Sequence, residues 1–158
     1  MVRYAATLLV ASSLLHGVAQ AEPRIDVPES ARAAAATVDR FFTALSAGNL
    51  DAAAAELDAD VIVLESGGAE HSAAEYLAGH AGYDAEFLGT ARQSLGRRTA
   101  RANGDLAWVA TESELQAQED GKPLTIASTE TMVLRSTETG WKIVHIHWSS
   151  RTRKLQEN

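Results

Sequence analysis

Residues 91–150 read ARQSLGRRTARANGDLAWVATESELQAQEDGKPLTIASTETMVLRSTETGWKIVHIHWSS, and they decide the fold. Turn chemistry at Asn103-Gly104, Asp120-Gly121 and Thr139-Gly140 divides this stretch into four long segments, roughly 91–102, 105–118, 123–136 and 140–150. Within these segments the period is that of strands, and such short connections make consecutive strands antiparallel neighbours.

Upstream the period lengthens to that of helices. Val38, Phe41, Phe42 and Leu45 recur at i, i+3, i+4 and i+7, with Gly48 as a stop, so a first helix is expected over about 30–47. Asn49 can cap a second helix in which Leu50, Ala53, Ala54 and Leu57 repeat the spacing. VIVLES at 61–66 is a short strand, and Gly67-Gly68 turns it toward a third helix. That helix opens at Ser72-Ala-Ala-Glu75, in the form of a capping box, and runs to about Gly89 with a break expected near Gly79 or Gly82. The fold class is therefore α+β, with three N-terminal helices packed on a strongly curved antiparallel sheet of four long strands plus a short one. A sheet bent over helices closes into a cone-shaped barrel and encloses a cavity.

The ends of the chain carry other signals. Arg3 precedes an apolar run from Ala5 to Val18 that ends in Ala19-Gln20-Ala21, the pattern of a cleaved secretory signal over 1–21. The expected layout is signal 1–21, linker 22–29, cone domain 30–151 and polar tail 152–158. Export to a bacterial periplasm follows, with no membrane insertion once the signal is removed. The chain has no cysteine, which excludes disulfides and a lipidated start at the cleavage point. Its net charge is -7, and removing 1–21, which hold one base and no acid, leaves -8. An acidic surface repels nucleic acid and anionic membranes. No Gly-rich phosphate loop, Gly-x-Ser-x-Gly elbow or His-Glu-x-x-His pattern is present, which sets aside nucleotide binding and the usual serine-hydrolase and zincin routes.

The order of elements resembles the SnoaL-like, nuclear-transport-factor-2-like superfamily, on three stretches: VDRFFTALSAGNLDAAAAEL at 38–57, ESGGAEHSAAEYLAGHAGYDAEFL at 65–88 and ETMVLRSTETGWKIVHIHWSS at 130–150. Ketosteroid isomerase, scytalone dehydratase and the calmodulin-dependent kinase association domain share that cone, and the branch resembled is one of secreted bacterial members. The resemblance implies a pocket between the concave face of the sheet and helices 1 and 3, and dimerisation through the convex face. It implies fold more than activity, because isomerases, dehydratases and hydrolases share the superfamily.

Side chains alternate along a strand, so Trp141, Ile143, His145, His147 and Ser149 share one face and Val144, Ile146 and Trp148 the other. The first set is expected to line the pocket, since an apolar Val-Ile-Trp face suits a homodimer contact; the inverted register would bring Trp148 inside. On helix 3, Leu77, His80, Asp84 and Leu88 form one stripe, which puts an imidazole and a carboxylate within an apolar face. Outside the signal the histidines are His71, His80, His145 and His147, all in segments that flank the expected cavity. The expected ligand wall is Phe41, Tyr76, Trp108, Glu130, Ile143, His145 and His147, around a small apolar organic molecule.

Three readings fit these residues. A structural network would pair His80 with Asp84 or Glu130 and let His145 and His147 satisfy one another. A divalent metal could be held by His145, His147 and His80 or His71, completed by Asp84 or Glu65. Acid–base catalysis without organic cofactor, by a lyase, isomerase or hydrolase, would use Asp84 or Glu65 as base, His80 or His145 as acid, and Tyr76 or Tyr83 as hydrogen-bond donor. The isomerase's own tyrosine has no counterpart in helix 1, which offers Phe41 and Phe42, and the strand that by this resemblance should carry the second acid reads LAWVATESELQ, with Trp108 and Thr111 before Glu112.

Overall fold

A computed structural model describes residues 22–153, the side chain of Glu119 excepted. The expected signal and residues 154–158 of the expected tail lie outside the described residues. In chain order the strands are β1 Arg24–Asp26, β2 Leu57–Glu65, β3 Gly68–Glu70, β4 Arg92–Asn103, β5 Leu106–Glu119, β6 Lys122–Thr137 and β7 Gly140–Thr152. The helices are α1 Arg32–Ser46, α2 Leu50–Ala54, α3 Ala73–Ala78 and α4 Ala81–Thr90, with a 3₁₀ turn at Glu29–Ala31 before α1. The seven strands form one curled, unclosed sheet in the order β1-β4-β5-β6-β7-β2-β3.

The four long segments stand within two or three residues of where the turn signals put them. Asp120 and Gly121 both take positive φ, 50° and 73°, as a two-residue hairpin turn with strand-matched twist requires. Two features correct the expected architecture. The sheet is mixed, because β2 runs parallel to β7 and β1 parallel to β4. Residues 24–26 of the expected linker are that edge strand β1. The break expected near Gly79 or Gly82 falls at Gly79, which departs from helical geometry and separates α3 from α4. The caps behave as read: Asn49 accepts from the Ala52 amide at 3.1 Å, and Ser72 from the Glu75 amide at 3.1 Å.

Helix α1 lays Ala34, Val38, Phe41 and Leu45, all fully buried, against the concave face. The facing strand residues are Ala100, Val109, Met132, Ile146 and Val63, which stand side by side in one row across β4, β5, β6, β7 and β2. Each large side chain so buried contributes roughly 1.5–3 kcal/mol. This row is the floor of the cone.

On β7 the pairing with β6 slips by one residue, so that Leu134 faces Ile143 and Val133 faces His145, leaving Val144 as the extra residue of a bulge. A one-residue slip inverts every later side chain. Ile143 and Ile146 therefore both point inward, and Trp148 follows them, while His145 and His147 point to the convex side. The expectation that His145 and His147 line the pocket and that Ile146 and Trp148 face a partner is corrected on this ground.

Candidate functional site

One row above the floor, the concave face changes character. Arg98 on β4, Thr111 on β5, Glu130 on β6, Trp148 on β7 and Glu65 on β2 are direct cross-strand neighbours. The next row outward carries Ser113, Ser128 and Ser150. Between these rows and the helices lies a cavity of about 90 Å³, with Phe87 and Leu88 of α4 and Leu115 and Ile126 of the sheet as apolar walls. Glu65, Asp84 and Glu130 supply its carboxylates. A wider recess of about 380 Å³ shares Phe42, Leu88 and Gln93 as walls and adds Asp39 and Arg98.

Trp148 anchors the site. Its ring stacks on Phe41 at 6.3 Å and meets Tyr76 at 6.1 Å and Phe42 at 6.3 Å, an aromatic cluster that fixes the indole beside the carboxylates. The indole N–H donates to Glu130 Oε2 at 3.2 Å. Glu130 is 8% exposed, and its second oxygen, Oε1, is buried with no hydrogen-bond partner. Burial raises its pKa, with Thr111, Trp148 and Arg98 pulling the other way. Arg98 is held in turn by Asp39 of α1 and reaches the Thr111 hydroxyl at 3.3 Å.

Across Trp148 from Glu130 stands Glu65, whose carboxylate takes no hydrogen bond among the described residues. Its pKa is raised by burial first and then by the negative charge of Asp84, against the opposing pull of His80. Asp84 is raised by burial too, while the Tyr76 hydroxyl, donating at 2.8 Å, favours its charged form. The same burial and the same neighbour drive the Tyr76 phenol upward, so it stays protonated as a donor. Three carboxylates thus share one enclosure, each biased toward the neutral acid.

The residues expected from sequence fall into two groups. Asp84, Tyr76 and Glu130 meet at the cavity, joined by Glu65. Phe41 lies behind Trp148 in the core, and its neighbour Phe42 takes the cavity wall. Ile143 is fully buried in the floor, and Trp108, 40% exposed, stands on the convex side. His145 also faces out, with its ring Nδ1–H directed at the Ile62 carbonyl at 3.0 Å, and His147 is exposed. His80 faces solvent and pairs with Glu70 rather than with Asp84 or Glu130. His80, His145 and His147 do not converge, and among the described residues no three His, Cys, Asp or Glu side chains form a group able to hold a metal ion. Leu115, Ile126 and the serine row went unread as cavity wall. Glu130 carried a legible signal, an acid sharing a strand face with Met132 and Leu134.

Comparison with known proteins bears on the fold. Residues 34–152 match the SnoaL-like domain. A candidate ketosteroid isomerase from Shewanella frigidimarina is 31% identical, with a TM-score of 0.71 over 80% of this chain and 99% of that one. A calcium/calmodulin-dependent kinase II hub from S. rosetta (23% identical, TM-score 0.63) is covered over 84% of this chain and 100% of that one. A candidate dehydratase of the NTF2-like family from Streptomyces avermitilis (17%, TM-score 0.62) is covered over 76% and 95%. The last two share the fold. None of the curated proteins matches. Among the described residues no helix is long and apolar enough to cross a membrane. A curled sheet closed by α1 and α4, matched over nearly all of its length, places this chain in the SnoaL-like domain family.

Proposed function

We propose that the protein binds a small, neutral, mostly apolar organic molecule bearing a carbonyl, and moves a proton on it without an organic cofactor, as a lyase or isomerase does. The observation that carries this reading is the arrangement of Glu130 and Glu65 on either side of Trp148. Their backbones stand two strand spacings apart, about 10 Å, the span of a small molecule lying on the indole. Glu130, held toward its protonated form by burial, has one oxygen without a partner and can donate to a carbonyl oxygen. Glu65, whose oxygens take no hydrogen bond among the described residues, can take a proton from the carbon beside that carbonyl. The charge that develops on the carbonyl oxygen is met by the Glu130 O–H. The proton on Glu65 then returns to another carbon, giving the isomer, or leaves with a hydroxyl group as water, giving the alkene. Asp84, kept in place by Tyr76, is the second acid of the site. An anionic ligand would be repelled by this set, whereas the apolar walls suit a neutral one. The resemblance to a candidate ketosteroid isomerase at 31% identity supports the same class.

Two further elements belong to this reading. The signal-like residues 1–21 support export, and the convex face with Trp108 and Ile62 exposed supports a homodimer. The test is deuteration of cyclohexanone and 2-cyclohexenone in D2O, followed by NMR. The wild type should accelerate exchange at the carbons acidified by the carbonyl, and Glu65→Gln should reduce it by about 100-fold or more. Binding of these ketones without exchange would make the protein a carrier, and equal rates in wild type and Glu65→Gln would remove Glu65 as the base.

A further inference from the structure

Behind Glu65 lies a second set of charged groups that proton transfer at the cavity does not use. β2 and β3 form a hairpin in which Glu70 faces Val63 and Gly68 faces Glu65. Val63 points inward, so Glu65, Gly68 and Glu70 share its face. Glu70 is 8% exposed, a carboxylate that needs a partner at that depth. Its partner is His80, delivered by the break between α3 and α4 and bonded to Glu70 Oε1 through Nδ1.

The position of the imidazole is informative. Residues directly opposite in an antiparallel pair have side chains about 4.5–5.5 Å apart, so the natural neighbour of Glu65 is whatever stands at 68. Gly68 has no side chain there, and the half-exposed His80 ring stands next to that place: a Cβ on Gly68 would lie 3.8 Å from His80 Cε1, ordinary van der Waals contact. His80 thus borders the cross-strand position beside Glu65 while its ring nitrogen is fixed by Glu70. The other titratable groups facing this pocket of charge are Asp84 and Tyr76, from α4 and α3, which are bonded to one another.

The geometry points to His80 as a positioning residue: a cation locked on Glu70 and seated beside Glu65, which keeps Glu65 ionised and available as the base of the reaction proposed above. This deepens the proton-transfer reading and rests on it. Glu70 is the main cause that raises the His80 pKa, so the imidazole keeps its charge to higher pH than a free one. That charge opposes the combined push of burial, Asp84 and Glu70 on Glu65. Without it three carboxylates face one another with no cation among them, and Glu65 holds its proton to higher pH.

The experiment is a side-chain carboxyl NMR titration of the mature chain, residues 22–158, in wild type, His80→Gln, His80→Arg and Glu70→Gln. In His80→Gln the Glu65 midpoint should rise by roughly half to one pH unit, a range reduced for the exposure of the imidazole. In His80→Arg, which restores a cation, it should return toward the wild-type value. Glu70→Gln, which leaves the His80 ring in place, should lower the His80 midpoint. The acid limb of cyclohexanone deuteration should follow the Glu65 midpoint in each variant. A folded His80→Gln protein with an unmoved Glu65 midpoint overturns the proposal, as does a Glu70→Gln protein in which the His80 midpoint stays put. Should His80→Gln fail to fold, His80→Arg and Glu70→Gln decide alone. A shifted Glu65 midpoint with no ketone deuteration in any protein would leave the tuning standing and sink the proton-transfer reading.

Discussion

The two faces of the sheet carry similar residues to opposite ends. On the concave side one row runs Arg98, Thr111, Glu130, Trp148, Glu65; on the convex side another runs Arg101, Trp108, Val133, His145, Ile62 across the same five strands. Each has an arginine, a tryptophan and an ionisable group near the middle. Trp148 is 9% exposed and Trp108 40%. The inner row raises the pKa of two carboxylates by burial, whereas the outer histidine has its ring nitrogen on a main-chain carbonyl at the rim of solvent. The raised carboxylates here follow from enclosure by α1 and α4, since residue type alone does not distinguish the rows.

The largest expected effect breaks the inner row. Trp148→Ala removes the ring that stacks on Phe41 and touches Tyr76 and Phe42, and should cost about 3–5 kcal/mol in urea unfolding. Trp108→Ala on the outer row should cost less than about 1 kcal/mol per monomer. Similar losses at both positions would erase the distinction between the faces.

Next comes the outer face as an interface. Trp108→Glu replaces an exposed aromatic ring of the convex face by a charge and should weaken self-association more than 10-fold, read by sedimentation at graded concentration, with the folded monomer retained. A wild type that is monomeric at every concentration would remove the homodimer.

A smaller effect sharpens the inner row through pH. The Glu130 carboxyl is raised by burial, so folding favours its protonated form. That stabilising contribution is complete below the unfolded carboxyl value of about 4.3 and is lost as pH rises through the higher folded value. Glu130→Gln is neutral at every pH and can still accept from the Trp148 N–H. It should therefore be more stable than wild type at pH 8, read as a higher Tm, with the gap closing toward pH 4. A gap independent of pH would mean that Glu130 is not the titrating group.

What could be read in the chain divides along the same line. Turn residues set the four long strands because Asn-Gly, Asp-Gly and Thr-Gly act locally, and Ser72 and Asn49 capped where their side chains reach the next amides. The parallel partners of β7 and β4 were not legible, since the pairing of β2 with β7 joins residues about eighty apart with no local mark. The site was half legible: Asp84 lies on the helical stripe that spacing revealed, and Tyr76 is the hydrogen-bond donor expected beside it. Trp148 stands on the face opposite to the one strict alternation from Ile143 predicts, because a bulge at Val144 leaves the alternation pattern looking intact while reversing it.

The smallest expected effect concerns the histidines that this reversal turned outward. On the convex face the cross-strand neighbours of His145 are Val133 and Ile62, and those of His147 are Thr131 and Leu64, so neither ring has a carboxylate or a third imidazole beside it. The two rings are 6.5 Å apart between centroids, and His145 already spends one nitrogen on the Ile62 carbonyl. A stable zinc shell needs four donors, usually three or more from protein. The double variant His145→Ala/His147→Ala should therefore change stability by less than about 1 kcal/mol, the loss of one half-exposed hydrogen bond, and leave ketone deuteration at the wild-type rate. Zinc titrated by calorimetry should show no stoichiometric site in either protein. Stoichiometric binding lost in the variant would mean that a second copy or a rearranged strand completes the shell, and the convex face would then be the chemical one.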